Sequence, residues 1–213
     1  MLENALEKLT KGQKTAQKIL EAAARCISKV GVEKTSVTNI AKEAELKRSL
    51  IAYHYPKKAE IFYKVIISIT QSIVEQRSAN TENLKGREKL QQILLSYTDF
   101  FYQNTHYFNC YLHFFYMSSI DEKYRKLNDQ ITNNSLDVLK EAIREIFDME
   151  KMPLNEKAMN DFAELLYQRL IGVIMRYFST NHNFSTEQYR KQYVDLLNSE
   201  IDLFISYSKS RVK

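Results

Sequence analysis

The sequence predicts an all-α protein, and three observations carry that expectation. Glycine and proline together number six in 213 residues, where average usage of roughly 12% would supply about 26. Sheets need those residues for their turns, so an all-β or doubly wound α/β chain is not expected and all-α is the default. Apolar residues recur at helical rather than alternating spacing. The chain also shows no internal repeat, heptad array or low-complexity tail, which leaves an ordinary helical fold of nine segments, three short and six longer.

The first segment places Ala16, Ile19, Leu20, Ala23, Ile27 and Val30 on one face, and Gly31 stands where a C-terminal cap belongs, predicting a helix over about 12–30. Thr35 or Ser36 can cap a second helix with inner face Val37, Ile40, Ala41 and Ala44. The pattern breaks around Glu45 and Leu46, then restarts at Leu50 and Ile51 in a short third helix ending near Tyr55-Pro56. Pro56 separates it from a long fourth helix, about 57–79. A polar stretch from Ser78 to Lys85 and Gly86 follow. Further helices are predicted over about 87–103, 106–118, 121–149, 156–181 and 186–209, with Thr180–Ser185 separating the last two. The expected organisation is an N-terminal three-helix domain, 1–58, and a C-terminal six-helix domain, 59–213.

Charge is unevenly placed. Residues 1–60 hold 12 Lys and Arg against 7 Asp and Glu, the whole net +5, while the remainder balances at 19 and 19. A basic segment joined to a neutral helical body points to an anionic partner, nucleic acid or a membrane surface, against the plainer alternative of a solvated lysine face. Two cysteines, Cys26 and Cys110, form no disulfide framework. Glu3 and Glu7 argue against a signal peptide, and the best apolar run, Leu170 to Met175, is far too short to span a membrane. A soluble, cytoplasmic protein without a membrane partner is expected.

Thr35 to Lys58 reads TSVTNIAKEAELKRSLIAYHYPKK. Two short helices joined by a tight turn form a helix-turn-helix whose second helix can enter a major groove. Its outward residues include Lys47, Arg48, Ser49, Tyr53 and His54. Arg and Lys can pair with guanine edges or phosphates, and hydroxyls can hold phosphate oxygens. Thr35 and Ser36, at a helix N-terminus, add backbone donors suited to a phosphate. An ordinary helical hairpin with solvated lysines would show much of the same pattern.

The stretch from Thr15 through Phe62 resembles the DNA-binding domain of the tetracycline-repressor (TetR) family of bacterial regulators. The resemblance rests on Ile19-Leu20, Ala22-Ala23, Gly31, Thr35-Ser36-Val37, Ile40-Ala41 and Ala44, and continues through Leu46, Leu50-Ile51, Tyr53-His54-Tyr55 and Lys58. It implies that Thr35, Ser36, Tyr53 and Lys58 grip phosphates, and that Arg48, Ser49 and Ala52 face bases. Three departures stand out: Lys47 replaces the serine that usually caps the recognition helix, Glu45 replaces the common turn glycine, and Ala52 replaces a common tyrosine whose phosphate contact Tyr53 would take over.

Ten of the 25 aromatic residues lie between Tyr97 and Tyr116, too many for one helix stripe, so some are expected to line a space or an interface. The resemblance places this region around an effector pocket. Tyr97, Phe101, His106, Cys110, Tyr111, His113, Phe114 and Arg169 are the candidate ligand-binding residues, with plain core packing as the alternative for any single ring. His106, Cys110 and His113, spaced i, i+4, i+7, offer three metal-ligand types on one helical face, though a buried cysteine among aromatics more often packs as core. No metal or cofactor is therefore expected. The last two helices carry the stripes Leu166, Leu170, Val173/Ile174, Tyr177 and Tyr193, Leu196/Leu197, Ile201, Phe204. The resemblance implies that these helices pair with their two-fold mates.

Four histidines form no nucleophile–base motif, and phosphate-loop, dinucleotide and G-x-S-x-G signatures are absent, so an enzyme is not expected. The expectation is a homodimeric, ligand-responsive regulator. It would repress from a palindromic duplex operator and be released by a small apolar or aromatic effector. The competing expectation is a regulator without a small ligand, switched by a protein partner or by metal or redox chemistry at His106-Cys110-His113.

Overall fold

The computed structural model describes residues 10–153, 155–179 and 186–210, with side chains throughout except at 177, 178, 186–190 and 210. Among them every regular element is a helix: α1 Lys11–Lys34, α2 Val37–Glu43, α3 Arg48–His54, α4 Lys58–Thr81, α5 Gly86–Gln103, α6 Thr105–Ile120, α7 Glu122–Met149, α8 Glu156–Ser179 and α9 Thr186–Ser210. These match the expected segments to within a few residues. The expected separator Thr180–Ser185 and the side chain of Tyr177 lie outside the described residues. No helix among the described residues is long and apolar enough to cross a membrane.

Local chemistry sets the boundaries. Thr10 caps α1 in a reciprocal box with Gln13, and Ser36 does the same for α2 with Asn39. Gly31 is the expected end of α1, and its backbone does leave the helix there (φ 79°, ψ 167°). A last turn nevertheless follows to Lys34, because the Gly31 carbonyl accepts both the Thr35 amide (3.2 Å) and the Thr35 hydroxyl (2.7 Å). Lys47 caps α3 without any side-chain bond. Between α2 and α3, Glu45 takes the left-handed conformation (φ 53°), which costs a side-chain-bearing residue about 1–3 kcal/mol. Glu45→Gly is therefore expected to stabilise the protein by about 1 kcal/mol in urea unfolding, the relief of strain exceeding the added freedom of the unfolded chain. A destabilised variant would mean that the Glu45 side chain holds the turn.

The helices sort into two compact units. The first runs to Ser72 and takes in Asn104–Asn128. In it α1 packs against α2 and α6, and α2 against α3. Its core includes Ile19, Ala22, Ala23, Ile27, Ile40, Ile51, Ile61, Ile66 and Phe114. The small residues Ala22–Ala24 let α6 approach α1 closely: Cys110 Sγ lies 3.7 Å from the Ala24 carbonyl. Glu43 accepts from Arg25 (2.8 Å) and Lys29 (3.0 Å), tying α2 to α1.

The second unit comprises Ile73–Gln103 and the chain from Asp129 onward. There α5 packs on α8 and α9, over a core that includes Leu90, Ile93, Leu94, Leu139, Ile143 and Phe147. Gly86 opens α5 with φ 54°, its amide donating to Glu145 Oε2 at 2.8 Å, and an added Cβ would lie 2.6 Å from Met149 Sδ. Neither the backbone nor the space admits a side chain there.

Candidate nucleic-acid interface

Helix α3 is short, and the way it is buried decides what it can present. Ile51 is fully buried and Leu50 partly so, anchoring one side on the first unit's core. Arg48, Ser49, Ala52 and Tyr53 are exposed, with Lys47 exposed at the cap. Their spacing puts the four on one outward face. Tyr53 is 81% exposed, which leaves its hydroxyl free of the core. His54 is half-buried and meets the Tyr53 ring edge-on at 5.4 Å. No acidic residue lies on α3; Glu45 is exposed in the turn before it, and Glu43 in α2 is engaged by Arg25 and Lys29. Hydrogen bonds from Lys29 and then Arg25 hold the Glu43 carboxyl below its ordinary pKa. The outward face thus carries positive charge and hydroxyl donors.

The flanking candidates divide. Ser36 is exposed at the N-terminus of α2, where free amides favour an anion. Thr35 is buried and its hydroxyl donates inward to Gly31, so the side chain expected to grip phosphate instead closes the end of α1. Lys58 is exposed in the first turn of α4, and its Nζ donates to the Glu33 carbonyl at 2.9 Å. A phosphate would have to draw the ammonium from that carbonyl.

The residues expected to bind a ligand are split between the units. Tyr97, Phe101 and Arg169 belong to the second. The Tyr97 hydroxyl accepts from Arg77 (2.9 Å) and donates to Ser135 (3.1 Å). Nearby in sequence Asn80 donates to Ser96 (3.2 Å), and Thr132 and Tyr167 share a bond across α7 and α8 (3.2 Å). Sequence reasoning missed Arg77, Ser135 and Tyr167, because lone polar residues on helices carry no motif. Arg169 pairs with Glu200 and lies over the Tyr193 ring at 5.2 Å, which makes it a tie between α8 and α9.

His106, Cys110, Tyr111, His113 and Phe114 belong to the first unit. Phe114 and Cys110 are wholly buried, and the Tyr111 hydroxyl bonds Thr70 Oγ1 at 2.8 Å. Burial first, and the Arg25 charge second, hold His106 below the usual histidine range; burial does the same to His113, whose ring meets Phe62 edge-on at 5.1 Å. Among the described residues no group of three or more His, Cys, Asp or Glu is placed to hold a metal ion. Burial pushes the Cys110 thiol up to about 12. A thiol so far from ionising is a poor nucleophile and a poor ligand. Folded protein at pH 8 is accordingly expected to leave Cys110 unmodified by a disulfide reagent, and denaturant to release it; rapid modification of the native state would restore the redox expectation.

The residues of the expected dimer stripes lie mostly inside the second unit. Leu166, Leu170, Tyr193, Leu197 and Ile201 are buried within the second unit's own core. Val173 is half-buried, and Phe204 stacks on Phe162 at 4.1 Å. These side chains are consumed by packing α8 and α9 inside the subunit. The exposed apolar residues of the same helices are Leu165, Leu196, Leu203 and Tyr207.

Residues 19–65 match the family model for bacterial regulatory proteins of the tetR family. No curated relative matches the chain in sequence. Solved structures resemble it over most of its length. A Pseudomonas aeruginosa PAO1 protein described as a transcriptional regulator is 17% identical, with 96% of each chain covered and a TM-score of 0.77. A Saccharomonospora viridis protein so described, solved in complex with choline, is 17% identical over 91% of this chain and 96% of its own, with a TM-score of 0.72. The TetR family transcriptional regulator PfmR from Thermus thermophilus is 21% identical over 84% and 96%, with a TM-score of 0.66. Those likenesses establish the fold, and the match across α1 to α4 coincides with the outward basic helix. Residues 19–65, which hold that helix-turn-helix, therefore carry the N-terminal helix-turn-helix domain of bacterial regulatory proteins of the tetR family.

Proposed function

We propose that the protein is a homodimeric repressor that binds a palindromic operator in the cytoplasm and releases it when a small, mainly apolar or aromatic effector binds. The outward face of α3, with Arg48, Ser49, Ala52 and Tyr53 clear of the core and Lys47 at its cap, carries this reading. Arg48 reads a base edge, Ser49 and Ala52 line the groove, and Ser36, Tyr53 and Lys58 hold phosphates, with Lys47 and His54 at the margins. A seven-residue helix reads few bases, and two-fold symmetry doubles the site. The effector is placed by this reading in the second unit, where the half-buried Arg77 and Tyr97 and the buried Ser135 form a chain of hydrogen bonds beside the apolar core; a few polar groups next to apolar surface suit a mostly apolar ligand. One structural neighbour binds choline, which supports a small-molecule role. The effector acts by binding the DNA-incompetent dimer more tightly than the competent one.

Selection of binding sites from random duplex tests the reading. A palindromic consensus is expected. Arg48→Ala should relax it at one position per half-site, costing about 1–3 kcal/mol against the preferred base. Lys58→Ala should weaken all sequences alike and lower the salt slope by about one. Equal binding to every duplex at every salt concentration would overturn the regulator reading, and an unchanged Arg48→Ala consensus would move base reading to Lys47.

A further inference from the structure

The first unit contains a cavity of about 260 Å³ that the functional reading does not use. Its floor is formed by the buried side chains Ile27, Ile40, Ile61 and Phe62. His113 and Met117 of α6 close one side. The exposed residues Glu33, Lys58 and Ala59 stand at its mouth.

The chemistry of the lining selects the occupant. Of the polar residues that line it, Thr35 donates its hydroxyl to Gly31, Lys58 donates its ammonium to the Glu33 carbonyl, and His113 and Tyr124 lay their rings against Phe62. Water inside would find few partners, whereas an apolar molecule would gain by burial. An aliphatic and aromatic cavity of about 150 Å³ is enough to take benzene, so this space suits a fused bicyclic ring. Glu33 and Lys58 at the mouth carry opposite charges, which favours neither an anion nor a cation.

We propose that this cavity is a binding site for a neutral, compact apolar molecule of about the size of indole, built into the DNA-binding unit and separate from the effector position beside Tyr97. Its walls join the end of α1, the start of α2, the first turn of α4 and the middle of α6, so an occupant fixes Ser36 and Lys58 relative to one another. The site stands on the cavity alone. Its effect on DNA rests on the regulator reading above.

The test uses the full-length protein labelled at isoleucine and methionine methyls, titrated with indole and, separately, with benzoate. Saturable shifts at Ile27, Ile40, Ile61 and Met117 are expected with indole, and at least tenfold weaker binding with benzoate. Ala59→Phe and Val32→Phe, both at positions lining the cavity, each narrow the space and should weaken indole at least tenfold; two positions are used because either variant alone can fail to fold. Unshifted methyls in the wild type, or undiminished indole binding in a folded filled variant, would overturn the proposal. On a selected duplex, saturating indole should change wild-type affinity at least threefold and leave the filled variants unchanged. A wild type that binds indole at these methyls but prefers no DNA sequence would overturn the regulator reading and leave the site in place.

Discussion

Replacing Phe114 by alanine is expected to remove about 3–5 kcal/mol of stability, the range for deleting a fully buried phenyl ring. Phe114 has no exposed surface, and its ring meets Tyr111, Phe115 and Tyr124 at centroid distances of 5.8, 6.1 and 6.3 Å. These neighbours come from α6 and the first turn of α7, and α6 is the helix that packs on α1 beneath the helix-turn-helix. With total stabilities of about 5–15 kcal/mol typical, the variant should unfold at clearly lower urea and lose DNA binding through that unfolding. If Phe114 instead lined an effector space, truncation would enlarge a hollow already present. The urea midpoint would then barely move, and only the response to ligand would change. A stability loss below about 1 kcal/mol would assign Phe114 to a ligand after all.

The contrast between Phe114 and Tyr53 shows how much of the site was legible. Helix positions followed from periodicity and from a few punctuating residues, Gly31, Pro56 and Gly86, because so scarce a set of breakers leaves little ambiguity. The outward face of α3 was equally readable: a seven-residue helix has one apolar side, at Ile51, and everything opposite faces solvent. The aromatic run Tyr97–Tyr116 was not readable in this way. A phenyl ring looks the same in sequence whether it fills a core or lines a space, and Asn104 divides the run between α5 and α6, which belong to different compact units. Thr35 carries a related lesson. A hydroxyl at a helix start can face an anion or the preceding carbonyl, and here the nearby Gly31 carbonyl takes it.

Leu203→Glu, alone and with Leu196→Glu, is expected to split the proposed dimer and lower operator affinity at least a hundredfold. Periodicity could not separate the stripe that packs α8 on α9 from the one that meets a partner, because adjacent positions on a helix differ by only about 100°. Burial shows which side chains remain for a partner. Leu197 and Ile201 are fully covered inside the subunit, whereas Leu196 and Leu203 are 54% and 70% exposed. Leu196, Leu203 and Tyr207 follow one another at i, i+7 and i+11, a single stripe of α9. On α8, Leu165 and Gly172 stand seven apart, and a Cβ at Gly172 would meet nothing within 4 Å, leaving room for another helix to come close. In a two-fold interface each substitution occurs twice, and an unpaired carboxylate buried against apolar side chains costs about 3–5 kcal/mol. That exceeds the roughly 2.7 kcal/mol corresponding to a hundredfold change in affinity. Each subunit should stay folded, since neither leucine belongs to the core, and sedimentation should show monomer at concentrations where the wild type is dimeric. Leu197→Ala serves as the control: it should lower the urea midpoint by emptying part of the core. A Leu203→Glu protein that sediments as a dimer and binds its operator undiminished would remove α9 from the interface.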